Sequence, residues 1–144
     1  MKKLHNTQGF TVLELVLFIL IVGFVVATAF SRVDHEKQNT RNKEREGDVK
    51  TVQLAVEAYY AKNGSYPKSA DLTNVTWVTT NLRGIDNSLL TDPNGVIVNQ
   101  AGGYQYAPTK DGKDACTDEK VTCGKYTLTT LLEGKPQLEL KSFN

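Results

Sequence analysis

Histidine, cysteine, tryptophan and methionine are all scarce in this 144-residue chain, which has two His, two Cys, one Trp and one Met. His5 and His35 stand beside no plausible nucleophile, no glycine-rich phosphate loop opens a helix, and the carboxylates are scattered over surface-like segments. Catalysis therefore finds no support, and no enzyme activity or cofactor is expected. Neither histidine is placed to complete a metal site with the cysteines, whose spacing fits neither a zinc knuckle nor a redox Cys-x-x-Cys. An excess of either charge is lacking as well: 17 basic residues face 16 acidic ones, for a formal net charge of +1. The basic residues form no aromatic-interleaved strip, so nucleic-acid binding is not indicated.

What the chain has is one long apolar run, Phe10 to Phe30, carrying a single acid, Glu14, behind a short polar leader that ends in Gly9. As a helix the run reaches about 31 Å, close to the thickness of a bilayer's hydrocarbon core. An acid in the middle of such a span costs about 2.5 to 3.5 kcal/mol, and less near its end, where Glu14 lies. Something should compensate it. Cleavage after Gly9 would create an ammonium at Phe10, within reach of a carboxylate four residues on in the same helix or in a neighbouring one. Two such charges 4 Å apart attract by about 4 kcal/mol at an effective dielectric of about 20. The plain alternative is that Glu14 snorkels to the headgroups.

The motif Gln8-Gly9-Phe10-Thr11-Val12-Leu13-Glu14 resembles the processing site of type IV pilins and their pseudopilin relatives. The resemblance implies cutting after Gly9 by a prepilin peptidase, N-methylation of the new terminus Phe10, and an assembly role for Glu14. Lys or Arg usually precedes the glycine in that family, where this chain has Gln8. Lys2 and Lys3 keep the leader positive and place the N-terminus in the cytoplasm, with the remainder delivered outside. An ordinary secretory signal is the competing reading, with Leu15 to Val26 as its apolar core, Ala27-Thr28-Ala29 as its cleavage site and a mature chain starting at Phe30.

Past the run, Ser31 to Asp48 holds no proline and balances its charges, with Asp34 and Lys37, Arg41 and Glu44, and Lys43 and Glu46 at helical spacing. Val49, Val52, Val56 and Tyr59 then recur at intervals of three and four, a stripe that can support a sheet. Asn63-Gly64 ends the helix, which from Phe10 to Lys62 would be about 80 Å long if straight. Tyr59 to Pro67 resembles the helix exit of many pilins: Gly64 can adopt the left-handed conformation, Pro67 forbids continuation, and Tyr66 can fold back on the stripe. Gly23, Ala27 and Ser31 form a small-residue seam at spacing four.

Lys68 to Gly103 reads as loop, with a short helix around Leu82 to Leu90, a turn at Thr91 to Gly95, and Trp77 as a core plug. Tyr104 to Ala107, Lys125 to Leu132 and Gln137 to Phe143 read as strands, the last two joined by a turn at Glu133-Gly134-Lys135-Pro136. Outside the cell, Cys116 and Cys123 would form a disulfide. Some major pseudopilins bind calcium in a comparable acidic loop. The spacing of Asp111, Asp114, Asp118 and Glu119 matches no EF-hand, and a solvated turn is expected there, without metal.

The expected fold is α+β: a long N-terminal helix, membrane-spanning in its first half, packed through its C-terminal half on a small antiparallel sheet. The expected divisions are a leader at 1–9, a transmembrane assembly segment at 10–30, an outer helix half at 31–63 and a head at 64–144. The resemblance implies a homopolymeric type IV pilus subunit that waits in the cytoplasmic membrane and is built into a cell-surface filament. A prepilin peptidase, an assembly ATPase and a membrane platform protein are the implied partners. The alternatives are a major pseudopilin of a type II secretion or DNA-uptake system, and a secreted binding domain.

Overall fold

The computed structural model describes residues 9–117 and 121–144, with the side chains of 29–33 excepted. The chain divides into two compact units, Met1–Gln38 and Asn39–Asn144. Helix α1 runs Val12–Asn63. Two short helices follow, α2 at Ser69–Thr73 and α3 at Val75–Asn81, then a 3₁₀ turn at Asn87–Leu90 and strands β1 (Gln105–Thr109), β2 (Lys125–Thr130) and β3 (Leu138–Lys141). The strands form one antiparallel sheet in the order β1-β2-β3, in the register Tyr106 opposite Leu128 and Leu128 opposite Leu140.

In the second unit the valine stripe lies where its spacing put it. Val49, Val52 and Val56 are all but inaccessible, and they share one core with Tyr106, Tyr126 and Leu128 of the sheet and with Tyr66, Leu72, Val78, Leu82, Leu90 and Val98 of the intervening segment. The fold is thus α+β, with the later part of α1 packed on a three-stranded sheet. Alternation along β2, where Tyr126 and Leu128 are buried between more exposed neighbours, gives the sheet one core face and one wet face.

The helix stops as its residues dictate. Gly64 has φ of 70° and its N–H donates to the Tyr60 carbonyl at 2.7 Å, closing the last turn. Tyr66 then turns back, buried, and stacks on Tyr60 with centroids 4.2 Å apart.

Three expectations need correction. Residues 68–81 are not loop but two helices, α2 and α3, and the signal for the second was Asn74, whose side-chain oxygen accepts from the Trp77 N–H at 3.1 Å as an N-cap. The helix expected around Leu82 to Leu90 is reduced to the 3₁₀ turn at its end, because Gly84 at φ of 77° interrupts it. Trp77 is only partly buried, leaning on the core's edge with its ring tilted against Tyr59 at 5.3 Å.

A membrane-spanning first half goes beyond what is described: among the described residues, no helix is long and apolar enough to cross a membrane. Within 10–30 the described side chains end at Thr28. Ala29 and Phe30, which complete the expected span, lie outside the described side chains. The leader residues Lys2, Lys3, His5 and Gln8 also lie outside the described residues, as do Asp118, Glu119 and Lys120.

Candidate functional site

The start of the chain's apolar segment is built around Thr11. Gly9, Phe10 and Thr11 lie outside the helix, and the Glu14 N–H donates to the Thr11 Oγ1 at 3.2 Å while the Leu15 N–H takes the Thr11 carbonyl at 3.1 Å. Thr11 is therefore the N-cap, and Glu14 falls in the first turn, where the helix dipole favours a carboxylate. The spacing Thr11-x-x-Glu14 is that of a capping box, a signal present in the sequence and not used in the reading above. Gly9, Phe10 and Glu14 are all exposed. The Phe10 ammonium that Glu14 is expected to answer would exist only if the chain were cut after Gly9.

Beyond this cap the helix shows apolar side chains on every side. Val12 is 80% exposed, Leu13 81% and Phe24 72%, and every large apolar residue from Val12 to Val26 is exposed in the isolated chain. A helix that is apolar on every side is one whose surface other apolar groups normally cover. At Gly23 nothing lies within 4 Å of where a Cβ would stand, so close approach of another helix is open there. Ala27 is exposed, whereas the side chain of Ser31, the third member of the expected seam, lies outside the described ones.

In the second unit two polar clusters hold α1 to the head, and neither was read from the sequence. Arg41, expected to pair with Glu44 in its own helix, forks onto Glu133 at 2.6 and 2.5 Å. Arg45, four residues on, reaches Glu133 at 3.0 Å and Asp92 at 2.5 Å, with side chains of Arg45 and Asp92 only 5% and 1% exposed. The Arg41 hydrogen bond, with Arg45 adding to it against desolvation, holds the Glu133 carboxyl at about 2, well below its ordinary value. Between the arginines, the Asn42 amide meets the Glu133 backbone twice, donating to its carbonyl at 2.9 Å and accepting from its N–H at 2.8 Å. The second cluster centres on Glu57, whose carboxylate accepts from the Tyr66 and Tyr126 hydroxyls at 2.8 and 2.9 Å and from the Phe143 N–H at 3.0 Å. Burial first, and the carboxylate beside them second, push both tyrosines well above the ordinary phenol value.

Cys116 and Cys123 are bonded to each other, with Cα atoms 5.7 Å apart. Their loop is stitched to the helix exit: the Tyr66 N–H donates to the Cys123 carbonyl at 2.9 Å, and the Cys123 N–H to the Ser65 hydroxyl at 3.0 Å. Asp111 accepts from the Lys113 and Asp114 N–H groups as an ordinary turn. Among the described residues no group of three His, Cys, Asp or Glu side chains could hold a metal ion.

No protein-family model matches the chain, and no solved structure matches it. Over 91 residues it is 25% identical to the ComG operon protein 3 homolog of Bacillus licheniformis, a stretch that makes up 62% of this chain and 94% of that protein. Nearly all of that relative is therefore covered, while more than a third of this chain lies outside the match.

Proposed function

We propose that this chain is a pilin-like structural subunit: held in the cytoplasmic membrane through 10–30, cut after Gly9 by a prepilin peptidase, methylated on Phe10 and polymerised through its apolar stem. The observation that carries this reading is the all-round exposure of apolar side chains from Val12 to Val26 behind a non-helical Gly9-Phe10 step, with one acid in the first turn. In this reading the span is completed by residues up to Phe30. Glu14 answers the amine of a mature neighbour and so sets the axial register between subunits, since an acid left unpaired among apolar stems is costly.

Lipid tails are as apolar as a neighbouring stem, so moving the stem from membrane to filament gains little hydrophobic energy. An assembly ATPase acting through a membrane platform protein is the proposed source of work. The product is a surface pilus or, as a second reading, the shorter filament of a pseudopilin serving secretion or DNA uptake. The 25% identity to the ComG operon protein 3 homolog favours the second reading.

Replacing Glu14 by Ala tests the assembly role. The expected outcome is loss of filaments with the membrane pool of subunit intact, and filaments formed normally by Glu14→Ala would remove Glu14 from assembly. Long fibres on cells would favour the pilus, and their absence despite processing the pseudopilus.

A further inference from the structure

The outer strands of a sheet present backbone groups that another strand can take up, unless the chain covers them. At β1 they are covered: the Asn99 side-chain oxygen accepts from the Tyr106 N–H at 2.8 Å, and the Cys116 N–H donates to the Pro108 carbonyl at 3.0 Å. At β3 the direction of each group follows from three bonds. The Ser142 N–H turns inward to the Tyr126 carbonyl at 3.2 Å, whereas the Lys141 carbonyl and the Phe143 N–H turn outward, to the Gln53 amide at 2.8 Å and the Glu57 carboxylate at 3.0 Å. Alternation then points the N–H and C=O of Glu139 and the N–H of Lys141 away from β2. Side chains of α1 thus cover one end of this edge and, among the described residues, leave the other open. Leu54, next to Gln53 in α1, and Phe143, two residues past Lys141, are 63% and 67% exposed, so the border of the edge carries apolar surface.

Charges commonly guard such an edge by repelling a second copy. Here they do the reverse. When Leu138-Glu139-Leu140-Lys141 is laid antiparallel on a second copy with Leu140 opposite Leu140, each Glu139 faces the other copy's Lys141 on the same side of the sheet. The outward backbone groups belong to those same residues, so the register that pairs the charges also pairs the backbone, and the Lys141 carbonyl keeps a lone pair beside its bond to Gln53. The side chains of Lys141 and Glu139 are 73% and 46% exposed, and their 3.1 Å contact within one strand can be exchanged for a contact across strands. We propose that the outer edge of β3 is a self-association surface, on which the β3 of a second copy of this chain pairs antiparallel about Leu140. The contact is two-fold, so it closes on itself and does not propagate along a fibre. In a polymer of the kind proposed above it joins subunits of neighbouring fibres, although the contact itself does not depend on that reading.

The test uses the full-length chain in detergent and native mass spectrometry, with one variant isotope-labelled throughout so that each pairing has its own mass. Glu139→Lys sets Lys against Lys across the edge and Lys141→Glu sets Glu against Glu, so each variant alone is expected to dimerise about tenfold more weakly than the parent. Mixed, the two variants restore opposite charges at both positions, and the mixed dimer is expected to form to within about threefold of the parent dimer. A purely structural role of these side chains gives no reason for two deficient variants to complete each other. The proposal is overturned by a parent that stays monomeric, by single variants that dimerise as well as the parent, or by a mixture that shows no preference for the mixed dimer. None of these outcomes depends on cleavage after Gly9, so a failure here is distinct from a failure of the processing reading.

Discussion

Arg45 forms a buried ion pair with Asp92. It is 4% exposed, and Asp92, its partner 47 positions away, is 2% exposed, so removing the guanidinium strands a carboxylate in the interior. Arg45→Ala is expected to destabilise the chain by about 3 to 5 kcal/mol, read as a lowered thermal midpoint in detergent. Replacing both partners by apolar residues of like volume should recover much of the loss, because the intact pair is itself offset by desolvation. Glu133 gives the pH dependence at the same scale. Its folded value of about 2 lies below the ordinary 4.5, so its contribution is complete above 4.5 and is lost as pH falls towards 2. A Glu133→Gln variant should show a flatter fall in thermal midpoint across that acid window, and an unchanged slope would deny Glu133 the role. Asp48 works in the opposite sense: burial, with the charge of Glu44 and others adding and the Tyr104 hydroxyl opposing, raises it, so its ionisation costs stability as pH rises past 3.8. Asp48→Asn, with Tyr104 still able to donate to the amide oxygen, should raise the midpoint at neutral pH.

At the scale of elements, local chemistry was legible and distant partnership was not. The end of α1 could be read because Asn63-Gly64 and Tyr66-Pro67 act on their own neighbours, and the three strands lie where β-prone runs put them, with ends shifted by a few residues. Helix α3 was missed because Val75-Thr76-Trp77-Val78-Thr79-Thr80 is rich in β-branched residues, and it is the burial of Val78 in the core that overrides that preference. The tertiary partners of the charged stretch before Asp48 were not legible, because Arg41, Arg45 and Asn42 find them at Asp92 and Glu133, a proximity no helical spacing reveals. The cysteine pair was legible because its members lie close in the chain. Opening it by Cys116→Ser with Cys123→Ser releases an eight-residue loop and should cost about 2.5 kcal/mol. Because that loop binds Ser65 and Tyr66, protease cutting just after Asn63 should become faster in the double variant, and unchanged cutting would separate the disulfide from the helix exit.

For the whole molecule, the second unit satisfies itself and the first does not. The head closes a single core, and among the described residues no buried side-chain nitrogen or oxygen lacks a hydrogen bond. Every large apolar side chain from Val12 to Val26 is exposed in the isolated chain. Gly9, Phe10 and Glu14 are the residues the sequence motif singles out for processing and assembly, whereas the Thr11 cap that sets where the helix begins emerged from the backbone geometry. All of the functional reading depends on the stem staying attached to its head after the leader is removed. Intact mass of the mature protein taken from cell membranes or filaments tests this most directly. The account expects a mature chain whose N-terminus is a singly methylated Phe10, and a mature chain beginning at Phe30, without the stem, would contradict it.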